Sequence, residues 1–245
     1  MFKLLHGLFN PPLQHLGAPH KLTIYQEIFN MKKTIVLCSG GLDSSTLLYM
    51  QRKTFDDSDI LVLFFNYGQK NYEKEKQALQ DIVPSSINIL ELNIVDVFKQ
   101  SPSSLINKDA IPYKAFMKND ELNVIPNQIT VEFRNGVFVS AAISIAQQLY
   151  LNDTVDIVLG VYYNTPEFFD CSEIFLKAYN KIAELQTDGR HHVLAPFGNL
   201  NKEEVLELAK ILEIPVEKTW SCYLGKSNPC GYCAACMDRM FYQTT

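Results

Sequence analysis

Two short stretches of this chain carry residue types at spacings that do chemistry. Ser39-Gly40-Gly41-Leu42-Asp43-Ser44-Ser45 sets paired glycines among hydroxyls and one carboxylate. Glycine lets a backbone approach an anion closely and turn its N–H groups toward it. Ser39, Ser44 and Ser45 add hydroxyl donors. Asp43 would repel a phosphate, so its expected task is to orient the loop or to reach Mg²⁺. The second stretch is Cys222-x7-Cys230-x2-Cys233-x2-Cys236. Four thiolates suit tetrahedral Zn²⁺, and Cys-x-x-Cys hooks are compact enough to place two sulfurs on one ion. With every ligand from protein, such a zinc is closed and structural. An iron–sulfur cluster is the competing occupant, since thiolates hold it too. A redox Cys-x-x-Cys pair leaves two cysteines unexplained.

The elements that must position these groups follow from the apolar pattern. Thr34 to Cys38, Ile60 to Phe65, Ile87 to Leu92 and Asp156 to Gly160 are short apolar runs that read as buried strands. Ser44–Arg52, Tyr72–Val83, Asn135–Leu149, Glu173–Gln186 and Lys202–Leu212 read as helices between and after them. Strands alternating with helices imply parallel βαβ units in a doubly wound α/β sheet. Ligands of such sheets bind beyond the carboxyl ends of the strands. The glycine loop lies there, between the first strand and a helix N-terminus that adds its own dipole and N–H groups. The competing reading is an ordinary βα turn with Asp43 or Ser44 as a helix N-cap. Val95 to Thr130, with Pro102, Pro112 and Pro126, is expected as a long, partly mobile loop over the site. His191 and His192 read as exposed loop histidines.

Composition bounds the alternatives. Of 245 residues, 47% are apolar and 20% charged, and the net charge is −5. That suits a globular domain and argues against a protein built to grip nucleic acid. No apolar run reaches the roughly 18–20 residues of a membrane span. Met1 to Leu5 resembles the start of a signal peptide, but Asn10-Pro11-Pro12 ends the apolar stretch and no small-residue cleavage site follows. Residues 1–30 are therefore read as a peripheral extension ahead of Met31-Lys32-Lys33-Thr34. With no address for export, clustered cysteines point to a metal site in a reducing, cytoplasmic setting.

The glycine loop is not a Walker A loop, because no Gly-Lys-Ser/Thr follows. It resembles the SGGxDS pyrophosphate loop of the ATP-pyrophosphatase superfamily, whose fold is adenine nucleotide alpha hydrolase-like. Thr219-Trp220-Ser221-Cys222-Tyr223 and Cys230-Gly231-Tyr232-Cys233-Ala234-Ala235-Cys236 resemble the tail of the QueC (ExsB) family. Tyr67-Gly68-Gln69, Arg134-Asn135, Asp170-Cys171 and Lys202 add to the resemblance, which runs from about Lys32 to Phe241. It departs at Lys70-Asn71, where the family often has Arg-His, at Glu132, where it has proline, and at Ser172, where it has arginine.

The resemblance implies an AMP-forming carbon–nitrogen ligase. Such enzymes adenylate the carboxylate of 7-carboxy-7-deazaguanine with ATP and Mg²⁺. Ammonia then gives the amide, and a second ATP gives the nitrile. By position, Ser39, Gly40, Gly41, Asp43, Ser44, Ser45, Tyr67, Gly68 and Gln69 would bind ATP. Arg134, Asn135 and Asp170 would bind the substrate, and Lys202, Arg134 and Asp43 would act in catalysis. For Arg134 the competing role is an ion pair with Glu132, and for Asp170 a helix N-cap. Cys222, Cys230, Cys233 and Cys236 would hold structural zinc. Residues 31–215 would form the ATP-pyrophosphatase domain and 216–245 the zinc segment, in a homodimer with no membrane partner. Besides the outside reading of a non-enzymatic nucleotide-sensing module, which would bind ATP without releasing pyrophosphate, two alternatives stay open. One is a defence-type relative that joins the deazaguanine through an amide to a protein or another amine. The other is a tRNA-thiolating enzyme using Cys171 or Cys38, although Cys38 at a strand end reads as an apolar filler.

Overall fold

Buried apolar runs must satisfy their backbone N–H and C=O groups, and pairing side by side does so. The computed structural model describes residues 32–107, 109–110, 116–118, 121–123, 129–165 and 167–244. Its strands are β1 (Lys32–Leu37), β2 (Ile60–Asn66), β3 (Asn88–Asn93), β4 (Phe116–Lys118), β5 (Glu121–Asn123), β6 (Thr154–Leu159) and β7 (His191–Leu194). Its helices are α1 (Leu42–Gln51), α2 (Tyr72–Ile82), α3 (Val95–Phe98), α4 (Arg134–Leu149), α5 (Glu173–Thr187), α6 (Lys202–Ile211) and α7 (Ala234–Thr244). Five strands form one sheet in the order β3-β2-β1-β6-β7. The pairs β1–β2, β2–β3 and β6–β7 are parallel, with Thr34 opposite Ile60 and Val155 opposite His191. β4 and β5 make a separate antiparallel pair.

Side chains alternate across a strand, so each central strand feeds two cores. Ile35, Leu61, Leu63 and Ile157 pack with Val139, Ala142 and Ala146 of α4 and Leu176 of α5. Their neighbours Val36, Val62, Phe64 and Val158 pack on the other face with Leu47 and Leu48 of α1, Leu79 of α2 and Val205 of α6. Each such fully buried side chain contributes about 1.5–3 kcal/mol. The chain runs outward from β1 through β2 to β3, then returns to the other side of β1 as β6. That reversal opens a crevice at the carboxyl ends of β1 and β6.

Three local expectations are corrected. His191 and His192 are not loop residues but the start of β7. His191 is 0% exposed, its backbone N–H donates to Thr187 Oγ1 at 2.9 Å, and its ring Nε2 lies 3.3 Å from the Tyr150 carbonyl. Burial holds its ring below the ordinary imidazole range. A four-residue strand opening on two histidines carries no apolar period, and packing under α5 decides it. Val95 to Thr130 is not one loop, for it contains α3, the β4–β5 pair and a buried stretch at Ser103, Ser104 and Leu105. The segment after the cysteines, for which no element was expected, forms α7. The expected extension at residues 1–30 lies outside the described residues.

Candidate functional site

The loop after β1 is built by its own hydroxyls. Ser44 Oγ accepts from the Ser39 N–H at 3.2 Å and donates to the Gly41 carbonyl at 3.1 Å. Gly41 takes the N-cap position of α1 without a side-chain cap, so neither Asp43 nor Ser44 is a capping residue. Gly40 has φ +77°, and a Cβ there would stand 2.7 Å from the Glu75 carbonyl and 2.8 Å from the Leu79 nitrogen. Only glycine fits the turn and the close approach of α2. Lys202, in the first turn of α6, reaches back to Asp43, with its Nζ 2.5 and 2.6 Å from the carboxylate oxygens and 5.6 Å from the Tyr162 ring centre. A capping box of Asn201 and Glu204 fixes the start of α6. A lysine against the dipole of a helix N-terminus is thereby held beside the loop by an acid.

The loop forms one wall of a cavity of about 440 Å³. Ser39, Gly41, Asp43, Ser44 and Lys202 line it, whereas Ser45, within α1, is fully buried and, like Gly40 and Gly68, lies outside the lining. The opposite side brings Tyr67, Gln69, Arg134, Asn135 and Cys171 together. Arg134 does not pair with Glu132, which accepts from Ser101 Oγ at 2.9 Å instead. Its Nη1 donates to Tyr67 Oη at 3.2 Å, and its guanidinium lies 5.5 and 5.9 Å from the Tyr67 and Phe138 ring centres. Its Nε is buried with no hydrogen-bond partner among the described residues. Such a buried donor suits an incoming carboxylate or phosphate, which a planar fork binds well.

Asp170 is turned away from the cavity lining. Its Oδ2 accepts the backbone N–H of Asn135 at 2.9 Å, in the first turn of α4. It thereby caps a helix that starts 36 residues before it in the chain, while its own neighbour Ser172 caps α5 through the Phe175 N–H. Asn135 Nδ2 reaches the Asp170 carbonyl and Cys171 Sγ, both at 3.3 Å. Burial, and next the Asp170 charge, push the Cys171 thiol up to about 11, and burial also raises the Cys38 thiol. Neither is an activated sulfur.

Sequence reasoning passed over several lining residues. Glu75 of α2 points into the cavity, and burial first of all pushes its carboxyl up to about 7. In the sequence it looks like any acid in a helix first turn, where the dipole favours it. Asp238 and Arg239 reach the cavity from α7, a helix that was not foreseen.

The tail closes the remaining side. The Trp220 N–H donates to the Gly40 carbonyl at 3.0 Å, and the Cys222 carbonyl accepts from Trp220 Nε1 at 2.8 Å and Asn71 Nδ2 at 3.2 Å. The sulfurs of Cys222, Cys230, Cys233 and Cys236 all lie within 4.8 Å of one another. Four sulfurs at about 2.3 Å from one ion would stand a little under 4 Å apart, so the cluster fits tetrahedral zinc. Cys222 Sγ and Cys230 Sγ accept the backbone N–H groups of Cys230 and Cys233 at 3.3 and 3.4 Å. The hydrogen bond between Cys233 and Cys236 holds the Cys236 thiol below its ordinary range and raises that of Cys233, while burial raises Cys222.

Comparison with known proteins extends these findings. The family described as "Queuosine biosynthesis protein QueC" matches residues 33–242. A 7-cyano-7-deazaguanine synthase of Prochlorococcus marinus (strain MIT 9215) is 36% identical over 220 residues, covering 85% of this chain and 92% of that protein. The synthases of a Nitratiruptor species and of Methanospirillum hungatei are 32% and 35% identical, with 85% of this chain covered and 92% and 93% of theirs. No helix among the described residues is long and apolar enough to cross a membrane. Similarity that spans nearly the whole of both sequences, and covers the loop, the cavity walls and the cysteine tail alike, places this chain in the QueC family.

Proposed function

We propose that this chain is an ATP-dependent synthase that converts 7-carboxy-7-deazaguanine, through its adenylate and its amide, to 7-cyano-7-deazaguanine. The carrying observation is that one cavity joins the loop and Lys202 on one side to the uncommitted donor of Arg134 on the other. The loop N–H groups and hydroxyls receive the β and γ phosphates of ATP. Lys202 offsets charge as pyrophosphate leaves, and Arg134 holds the substrate carboxylate in line for the α phosphate. A carboxylate is a poor electrophile, and adenylation turns its oxygen into a leaving group. Catalysis here is positioning and charge stabilisation. Bound Mg²⁺ would neutralise phosphate charge, with Asp43 the carboxylate within its reach. Zinc on the four cysteines would pin Trp220 and Tyr223 against the cavity. Residues 31–215 make the nucleotide-binding domain and 216–245 its zinc segment. Free, metal-suited cysteines favour the cytoplasm. A homodimer is consistent with the exposed apolar Ile174 and Leu185 of α5, at 78% and 72%, and sedimentation of a monomer would remove it.

The raised thiols of Cys38 and Cys171 weigh against sulfur delivery, and the relatives reported above are named as synthases. The test is to incubate the protein with ATP, Mg²⁺, 7-carboxy-7-deazaguanine and ammonium and to identify products by mass spectrometry. Nitrile with AMP and pyrophosphate is expected. AMP with only the adenylate or amide would move the acceptor to another amine. No substrate-dependent AMP would overturn the reading.

A further inference from the structure

One carboxylate in the cavity has no task in adenylation. Glu75 Oε2 accepts from Gln69 Nε2 and Oε1 from Asn71 Nδ2, both at 3.0 Å. Gln69 and Asn71 are 4% and 6% exposed, and both amide groups are spent. Gln69 Nε2 also donates to the Phe65 carbonyl, and its Oε1 accepts the Tyr67 N–H, each at 2.9 Å. Asn71 Nδ2 also donates to the Cys222 carbonyl. Two buried amides thus fix the carboxylate in one orientation, and each of its oxygens keeps a lone-pair direction to spare. Both donors are neutral. The charged or titratable groups facing Glu75 are Arg134 from α4, Tyr67 beyond β2 and Cys38 at the end of β1. Arg134 is itself turned to Tyr67.

The synthase reaction needs a nitrogen with a free lone pair, whereas ammonia at neutral pH is almost wholly ammonium. A group must attract that cation and then take its proton. A fixed carboxylate does the first through its charge. Burial, which leaves the Glu75 carboxyl near 7, suits it to the second, because a base works best near the operating pH.

We propose that Glu75 is the docking site and proton acceptor for the nitrogen nucleophile. The assignment rests on the synthase reading above. Ammonium gives one proton to the Glu75 carboxylate, and the freed lone pair forms the C–N bond at the adenylated acyl carbon. The C–O bond to AMP breaks and its electron pair leaves with AMP. The second proton shed by the nitrogen goes to the departing AMP phosphate.

The test compares wild type with Glu75→Gln in three assays. These are substrate-dependent ATP–pyrophosphate exchange without any amine, amide formation from ammonium, and hydroxamate formation from hydroxylamine. Hydroxylamine is uncharged at neutral pH and needs no base to free its lone pair. The expected result is an ammonium reaction that falls about 10²–10⁴-fold further than exchange or hydroxamate formation, and that recovers as pH rises. Equal falls in the ammonium and hydroxylamine reactions would overturn the assignment. Should Glu75→Gln lose exchange as well, wild type decides. Its ammonium rate is expected to climb through about pH 7 and then level off while free ammonia still rises, and a rate that keeps climbing in proportion to free ammonia would overturn the assignment. Absence of substrate-dependent exchange in wild type is a separate failure, that of the synthase reading itself.

Discussion

Lys202 and Asp43 show how one contact can matter to chemistry and hardly at all to stability. Both side chains are about a third exposed, so the pair contributes roughly 0–1 kcal/mol to folding. On the function proposed above, the same ammonium beside the glycine loop would stabilise charge that develops only as pyrophosphate leaves. Lys202→Met is therefore expected to lower ATP–pyrophosphate exchange by about 10²–10³-fold while leaving the melting temperature nearly unchanged. A parallel fall in both would assign Lys202 to the fold. The residue types of the loop were readable because glycine and serine at that spacing have few other uses. Glu75 was not, since nothing in Glu73-Lys74-Glu75 says which acid turns inward. That choice depends on Gln69 and Asn71 lying under the helix.

Among the elements, α4 has a start that depends on distant chain. Its N-cap position is Phe133, at φ +55° and with no side-chain cap of its own. Asp170 supplies the missing acceptor through the Asn135 N–H, and the short 3-10 turn Phe169–Cys171 holds it there. Asp170→Ala is expected to cost about 0.5–2 kcal/mol, read as a lower melting temperature, with Asp170→Asn recovering most of it. Because α4 also carries Arg134 and Asn135 into the cavity, the substrate KM should rise in Asp170→Ala more than in Asp170→Asn. The helix itself was legible from its run of small and apolar residues between Asn135 and Leu149. The partner of its first turn was not, because a cap supplied from 35 residues away leaves no local pattern.

Across the molecule, the cysteine tail is hydrogen-bonded to the glycine loop through Trp220 on Gly40 and to the start of α2 through Cys222 on Asn71. Metal removal should then be felt at the site as well as in the tail. Chelation, or Cys230→Ser, is expected to lower the melting temperature and exchange together, with one zinc per chain found by elemental analysis of the untreated protein. Exchange that survived complete metal loss would separate the tail from catalysis. Composition, strand–helix alternation and two compact motifs determined four of the five sheet strands, the glycine loop after β1 and the clustering of the four cysteines, since each is encoded by neighbours in the chain. Packing decided the rest. It buried His191 as an edge strand, drew Lys202 across to Asp43, turned Arg134 onto Tyr67 rather than Glu132, and faced Glu75 inward. Those outcomes depend on which surfaces meet when βαβ units stack, and a one-dimensional pattern carries no record of that meeting.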